Sequence, residues 1–326
     1  MLTPLFAALP FFQLGVYDLP LGSWTLPIDS WATLVCIGFV VGLEVARWRG
    51  MKLGLDVRDV VDGAVFIVVM GFVIAHIFTV LFYFPERLET DGIWAILRFW
   101  EGFSSTGGFI GAVFGAWLFY KVLRPREALR HADVITFGFP VGWMFGRLGC
   151  FSVHDHVGAE TTFFLAMEFP ANHWAAGVRH ELGLYEALFM MPVAAAFFYL
   201  GRKDRPPGFF LALFGLVYAP MRLFLDSLRN VDLTNQDARY PLPGLGWELT
   251  PAQYWMVVMF FAAGALLVYL QRQPFEPRRL DGSGRLVSAP DGSGPVDGDS
   301  VAPEDGDDAV VASVAAEPAD TSERPG

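Results

Sequence analysis

The chain has 326 residues, of which 54% are hydrophobic, 15% aromatic and only 17% charged, whereas a soluble domain usually carries about a quarter charged residues. The formal charge of −11 lies mostly in the segment 281–324, which holds eleven carboxylates and two arginines and therefore carries −9. The absence of a basic stripe with interleaved aromatics excludes a nucleic-acid partner, and a total of two cysteines excludes a disulfide scaffold or a cysteine-rich zinc site.

Apolar runs predict about seven transmembrane helices, since a spanning helix needs roughly 20 mostly apolar residues. The predicted spans cover 30–48, 64–84, 107–123, 132–153, 185–200, 208–228 and 251–270. These runs show no period-2 alternation, which favours helices over a membrane β-barrel. We therefore predict an all-α integral membrane protein.

Basic residues in the connections predict the orientation, because Lys and Arg concentrate on the cytoplasmic side. One set of connections is rich in them, and the alternate set is longer but poorer. An odd number of spans then places the N-terminus outside and the C-terminus in the cytoplasm. We expect a transmembrane domain at 1–276 and a disordered, acidic cytoplasmic tail at 277–326, which lacks an apolar period.

Arg147 lies near the outer end of the fourth span, followed by His154-Asp-His156. An arginine at membrane depth costs several kcal/mol unless it is paired or reaches water, so such residues usually mark a functional site. The alternative is an arginine that merely pairs with Asp155 or extends to the interface. The histidines that follow favour the functional interpretation.

The sixth span repeats this pattern, with Tyr218, Arg222, Asp226 and Arg229 spaced to share one helical stripe. Such a stripe suits a cavity that holds an anion, because a guanidinium group can bind phosphate through two parallel hydrogen bonds. The alternative is an Arg222–Asp226 ion pair that only fixes helix packing.

His154, Asp155 and His156 admit two chemical interpretations. Two histidines and one aspartate do not complete a zinc site, and further ligands would have to come from distant residues. General acid–base work by one imidazole, oriented by Asp155, is the better hypothesis, although two polar interfacial histidines remain an alternative. We predict no metal and no cofactor.

Small residues open the third span. Gly107, Gly111 and Gly115 have the spacing of a helix-packing face. The preceding turn, up to Gly108, could present backbone N–H groups to a phosphate. By itself, this second pattern is a weak signal.

In order and spacing, these residues resemble the prolipoprotein diacylglyceryl transferase family, from about residue 31 to residue 272. The matching motifs are Thr106-Gly-Gly, Gly146-Arg-Leu-Gly-Cys-Phe with Asp155 and Gly158, Leu184-Tyr-Glu186, Tyr218-x3-Arg222-x3-Asp226-x2-Arg229, and Gln253.

The resemblance implies a multi-pass enzyme of the bacterial inner membrane that acts at the outer leaflet. Its partners would be membrane lipid, with phosphatidylglycerol as donor, and the lipobox cysteine of a prolipoprotein signal peptide as acceptor. Arg147 and Arg222 would bind the phosphate and stabilise the leaving group, while Tyr218 would position the headgroup and Asp155 its neighbours. Residues expected to contact substrate further include Asp226, Arg229, Gly107, Gly108 and Gln253.

Two departures from the family pattern bear on the chemistry. Thr106 stands where the family has His, a candidate base for the thiol, and Cys150 stands where it has Asn. We therefore expect His154 or His156 to carry out the proton transfer. The alternatives are a paralogue of the same fold with another acceptor, a non-catalytic lipid- or lipoprotein-binding relative, and a transporter, for which no inverted repeat is visible.

Overall fold

Seven long helices dominate the computed structural model, which describes residues 8–98, 102–233, 239–242, 244 and 246–278. They are α1 Ser30–Lys52, α2 Val57–Phe82, α5 Ser105–Leu118 with a π-helical turn Phe119–Leu123, α6 Ala128–Val153, α7 Leu182–Leu200, α8 Phe209–Ser227 and α9 Pro251–Arg272. All seven are long and apolar enough to cross a membrane, which confirms the predicted spans. Two short helices, α3 Glu86–Asp91 and α4 Trp94–Leu97, lie between α2 and α5.

Helix capping explains the largest difference in a helix boundary. The second span was predicted to begin at residue 64, yet α2 begins at Val57. Asp56 caps it by accepting a hydrogen bond of 2.8 Å from the backbone N–H of Arg58. Polar residues in the first turn therefore belong to the helix, although they interrupt the apolar run.

Short β-strands make the fold less purely helical than predicted. The eight described strands are β1 Leu9–Pro10, β2 Val16–Leu21, β3 Trp24–Asp29, β4 Val157–Glu160, β5 Met167–Phe169, β6 Gly177–Glu181, β7 Tyr240–Leu242 and β8 Trp247–Leu249. One sheet has the order β1-β5-β6-β4, and β2–β3 and β7–β8 are separate antiparallel hairpins. All lie where α1, α7 and α9 begin and α6 and α8 end, which we call the strand end.

Glycine-rich seams hold two helix pairs together. On α5, a Cβ at Gly107 would lie 2.5 Å from the Cβ of Phe78, and one at Gly111 would lie 2.6 Å from the carbonyl of Met70. The packing role predicted for the third span is therefore confirmed. A second seam, which was not predicted, joins α6 to α1. A Cβ at Gly138 would lie 2.2 Å from the carbonyl oxygen of Gly42.

The opposite end, which we call the basic end, is held by polar contacts between helices. Asp133 of α6 accepts hydrogen bonds of 2.6 and 3.1 Å from the backbone N–H groups of Phe210 and Leu211, in the first turn of α8. Asp59 of α2 pairs with Arg124 at 3.2 Å and with Arg126 at 2.5 Å. Arg278, the last described residue, donates from its backbone N and its Nε to Oδ2 of Asp204 at this end. The tail expected at 277–326 lies outside the described residues from 279 onward.

Candidate functional site

Arg147 lies at the strand end, in the last two turns of α6, and only 5% of its side chain is exposed. Its guanidinium group stacks over the ring of Trp143, with 4.7 Å from Cζ to the centroid. Its Nε lies 3.0 Å from Oε1 of Glu186 on α7. A carboxylate from the neighbouring helix therefore compensates the buried charge.

Glu186 also binds the second arginine expected from the sequence. Arg222 of α8 donates from Nη1 to Oε2 of Glu186 at 3.1 Å. Tyr218 and Trp143 donate to Oε1 at 2.6 and 2.7 Å. The structure thus brings Arg147 and Arg222, from separate spans, to the two oxygens of one buried carboxylate.

The stripe on α8 continues this network toward the strand end. Asp226 Oδ1 lies 3.3 Å from Arg222 Nη2 and 2.7 Å from Arg229 Nε. Its other oxygen accepts a hydrogen bond from Thr250 Oγ1. Gln253 closes the capping box at the start of α9, with its side-chain oxygen 3.0 Å from the backbone N of Thr250. In this structure Gln253 therefore caps a helix.

The charge balance of this network favours an anion. Three guanidinium groups face the two carboxylates Glu186 and Asp226, which leaves one positive charge. Asp155 and a protonated His156, which adjoin Arg147, together add none. Glu186, Asp226 and Arg222 expose 1–2% of their side chains, while Arg229 exposes 19%. Replacing a buried charge network by apolar residues is often neutral or stabilising, so stability alone does not explain it. A phosphate or carboxylate ligand suits the remaining charge.

His156 extends the network from Arg147 to Asp155. Its Nε2 lies 3.3 Å from Nη1 of Arg147, and its Nδ1 lies 2.5 Å from Oδ1 of Asp155. Burial opposes protonation, but the charge of Asp155 outweighs it and raises the pKa of His156 to about 9. The ring is therefore protonated at neutral pH. Because Arg147 only donates, it can bond Nε2 only in the neutral imidazole, in which Nδ1–H donates to Asp155.

One group of residues in the described part of the chain has the donor types to hold a metal ion, with ligand atoms within 4.8 Å of one another. It consists of Cys150, Asp155 and His156. Zinc–ligand bonds of about 2 Å would separate two tetrahedral ligands by roughly 3.3 Å. The 2.5 Å between Asp155 and His156 is instead the spacing of a hydrogen bond. This arrangement fits proton transfer better than metal binding.

His154 is separated from the arginine network by the backbone turn that ends α6. Its φ of 53° and ψ of 44° place it in the left-handed region, which ends the helix and turns the ring away. Nδ1 lies 3.1 Å from Glu181 Oε2, and Nε2 bonds the carbonyl oxygen of Phe12. The side chain is fully buried among phenylalanine rings.

The two glycines proposed to contact a phosphate differ in their surroundings. Gly107 packs directly on α2, where a Cβ would collide. A Cβ at Gly108 would meet only the Cβ of Ala75, at 4.0 Å. Thr106 is buried, and its hydroxyl has no hydrogen-bond partner among the described residues. An open groove of about 550 Å³ between Phe11 and Phe169 is not lined by any of the predicted site residues.

Comparison with known proteins gives one consistent result. The family model for prolipoprotein diacylglyceryl transferase matches residues 21–269. The chain belongs to the prolipoprotein diacylglyceryl transferase family.

Relatives called phosphatidylglycerol–prolipoprotein diacylglyceryl transferase match over much of their length. The protein of Nitratidesulfovibrio vulgaris is 35% identical over 203 residues, which is 60% of this chain and 74% of the relative. That of Chromohalobacter salexigens is 31% identical over 251 residues, or 75% of this chain and 88% of the relative. That of Teredinibacter turnerae is 29% identical, covering 73% and 81%. The resemblance inferred from the motifs is therefore confirmed.

Family membership also puts the main omission of the sequence analysis in context. Glu186 lies in the Leu-Tyr-Glu motif, yet it was not among the predicted site residues. The signal was present, because a carboxylate at the start of an apolar span is as unusual as an arginine there. Gly158, in the Arg147 motif, lies in a crowded position, because a Cβ there would be 2.6 Å from the carbonyl oxygen of Leu228.

Proposed function

We propose that this chain transfers the diacylglyceryl group of phosphatidylglycerol to the thiol of a lipobox cysteine in a prolipoprotein. The observation that carries the proposal is the convergence of Arg147 and Arg222 on the two oxygens of Glu186. A guanidinium group has five N–H donors, more than these contacts engage, so both arginines retain capacity for a lipid phosphate.

We also propose the orientation predicted from the basic residues. The strand end, which carries the site, faces the outer leaflet of the bacterial inner membrane, and the basic end faces the cytoplasm. This orientation suits an acceptor that has crossed the membrane. It is supported by the basic residues at the other end, which include Arg49, Arg124 and Arg126.

The reaction requires one nucleophilic substitution. The cysteine sulfur attacks the carbon of the diacylglyceryl unit that is bonded to the phosphate oxygen. An S–C bond forms, and the C–O bond breaks with its electron pair leaving on glycerol phosphate. Arg147 and Arg222 stabilise the charge that develops on this leaving group. Tyr218 and Glu186 hold the two guanidinium groups in place.

The thiol proton passes to His156 in this proposal. His156 faces Arg147, and Asp155 fixes the tautomer in which Nε2 can accept a proton. His154 bonds Glu181 and Phe12 on the other side of the turn that ends α6, whereas His156 lies beside Arg147, so the proposal gives the proton transfer to His156. His156 would then take the role of the family histidine, whose position Thr106 occupies in this chain.

A turnover assay tests this proposal. Purified protein in proteoliposomes receives phosphatidylglycerol and a lipobox peptide, and both the modified peptide and the released glycerol phosphate are measured. We expect turnover in the parent chain and loss of it in Arg147→Ala and Arg222→Ala. Arg124→Ala, at the basic end, is the matched control and should retain activity.

Three other outcomes would each contradict the proposal in a different way. Release of glycerol phosphate without a modified peptide indicates another acceptor, an outcome that the replacement of the family His by Thr106 makes worth measuring. Lipid binding without either product indicates a non-catalytic relative. Full activity in both arginine variants removes the role assigned to the network.

A further inference from the structure

The hairpin of β2 and β3 precedes the first spanning helix. Its six cross-strand pairs run from Val16–Asp29 to Leu21–Trp24, and its two-residue turn has Gly22 at φ +68°. Every residue of β2 is exposed. A two-stranded hairpin is at best marginally stable in water and needs a surface to pack on.

One face of this hairpin is entirely apolar. Side chains alternate between the faces of a strand, and cross-strand partners share a face. Three of the pairs therefore place six apolar side chains together, namely Tyr17, Leu19, Leu21, Trp24, Leu26 and Ile28. Five of the six are 45–79% exposed. We call this surface the apolar hairpin face.

The other face of the hairpin has a different composition. It carries the pairs Asp18–Pro27 and Pro20–Thr25. Residues 8–29 contain two aspartates and no lysine or arginine. The hairpin is thus amphipathic, with its few polar groups on the face opposite the apolar one.

The base of the hairpin is fixed at the boundary of the membrane-spanning region. Asp29 ends β3 and caps α1, where it accepts a hydrogen bond of 2.8 Å from Ala32 N. Ser30 Oγ donates to the carbonyl oxygen of Leu14 at 3.0 Å, and Leu14 N donates to that of Ser152 at 3.1 Å. These bonds fix the hairpin directly at the N-terminus of the first spanning helix.

Exposed tryptophans recur in every connection at the strand end. Trp24 is 79% exposed, Trp94 and Trp247 are each 65% exposed, and Trp174 is 46% exposed. Tryptophan is enriched where a membrane protein meets the headgroup layer. Four exposed tryptophans at one end of the helices are the pattern expected where a headgroup layer lies.

We infer that the apolar hairpin face lies in the membrane, at the boundary between headgroups and acyl chains on the strand-end side. Its occupant is lipid, because the hairpin joins directly to a spanning helix and lies at the same end as the other exposed tryptophans. An exposed apolar patch of this kind marks an interaction surface. The inference rests on the spanning helices and does not depend on the transfer reaction.

The test compares two adjacent residues on opposite faces. Leu26→Cys and Thr25→Cys are introduced separately into a Cys36→Ser chain, labelled with an environment-sensitive fluorophore and reconstituted in vesicles of phosphatidylethanolamine and phosphatidylglycerol. The same chain without an added cysteine gives the background from Cys150. We expect the Leu26 label to emit further to the blue and to be quenched by lipids with a nitroxide high on the acyl chain. The Thr25 label should be quenched by aqueous iodide.

Equal quenching of both labels by iodide would overturn the inference. A Leu26 label that leaves water only when a lipobox peptide is added would also overturn it, since the occupant would then be the peptide. Thermal unfolding of each labelled chain confirms that it folds like the parent. Both positions are on the hairpin surface, so neither substitution removes a core contact.

Discussion

Two carboxylates in this protein each hold two arginines, and they differ in how far water reaches those arginines. At the basic end, Asp59 pairs with Arg124 and Arg126, whose side chains are 45% and 32% exposed. At the strand end, Glu186 pairs with Arg147 and Arg222, which are 5% and 2% exposed. A tyrosine hydroxyl bonds the acidic residue in both clusters.

The difference separates a joint between helices from a site. Exposed ion pairs contribute about 0–1 kcal/mol, and removing one changes little. Removing one partner of a buried pair costs about 3–5 kcal/mol, because a charge is left without compensation. The Asp59 cluster connects two helix ends, whereas the Glu186 cluster buries its charges, which we propose serve a ligand.

The strongest test of the difference between the two clusters compares Glu186→Gln with Asp59→Asn. Glu186→Gln leaves two buried guanidinium groups without their shared carboxylate, and we expect diacylglyceryl transfer to fall about 1000-fold. Asp59→Asn should retain most activity per folded molecule. Equal losses in the two variants, measured with the same proteoliposome assay, would show that both clusters are structural.

The next largest effect is expected at His156. His156→Gln removes the proposed proton acceptor, and transfer should fall about 100-fold, at the low end for general-base catalysis. His154→Gln should mainly lower the melting temperature, because it removes the bonds to Glu181 and Phe12. A larger rate loss in the folded His154 variant than in the His156 variant would reverse this assignment.

A smaller loss is expected when charge is kept and geometry is changed. Arg222→Lys retains the positive charge but loses the planar fork that reaches both Glu186 and Asp226, so we expect about a tenfold decrease in transfer. Arg124→Lys is the matched change at the basic end and should be silent. Unchanged transfer in Arg222→Lys would mean that charge alone suffices at the site.

The smallest effect is a shift in pH dependence. Only the neutral imidazole accepts a proton, and the pKa of His156 is raised to about 9, so the rate should rise with pH from neutrality through about 9. Asp155→Asn removes the charge that raises this pKa and should move the midpoint to lower pH. A midpoint that does not move would assign the titration to the substrate thiol, whose unperturbed pKa is about 8.5.

The sequence predicts two kinds of feature best here: the apolar spans, and the charged residues that interrupt them. Seven apolar runs predicted seven spans, and Arg147 and Arg222 were recognised because arginine is costly at membrane depth. Their meeting on Glu186 depends on how α6, α7 and α8 pack, which no spacing along one helix encodes. Glu186 itself lies alone at the start of an apolar run and lacks a periodic partner.

The two neighbouring histidines were the hardest residues to assign from sequence. His154 and His156 are separated by one residue, and their order in the chain does not indicate which one faces the arginines. The left-handed turn at His154 directs its ring toward Glu181 and Phe12, while His156 lies beside Arg147. The strands were not predicted because segments of two to six residues have too little pattern to distinguish them from loops.

The glycine seams restrict the route by which a lipid travels to Arg147. Where α6 lies against α1, and where α5 lies against α2, backbone and Cβ atoms are so close that a single added methyl group would collide. Acyl chains are thicker than a methyl group, so these two gaps cannot admit the tails of a diacyl lipid sliding in from the bilayer. If the donor lipid reaches Arg147 from the bilayer, as the proposed function requires, it must therefore pass between other helices.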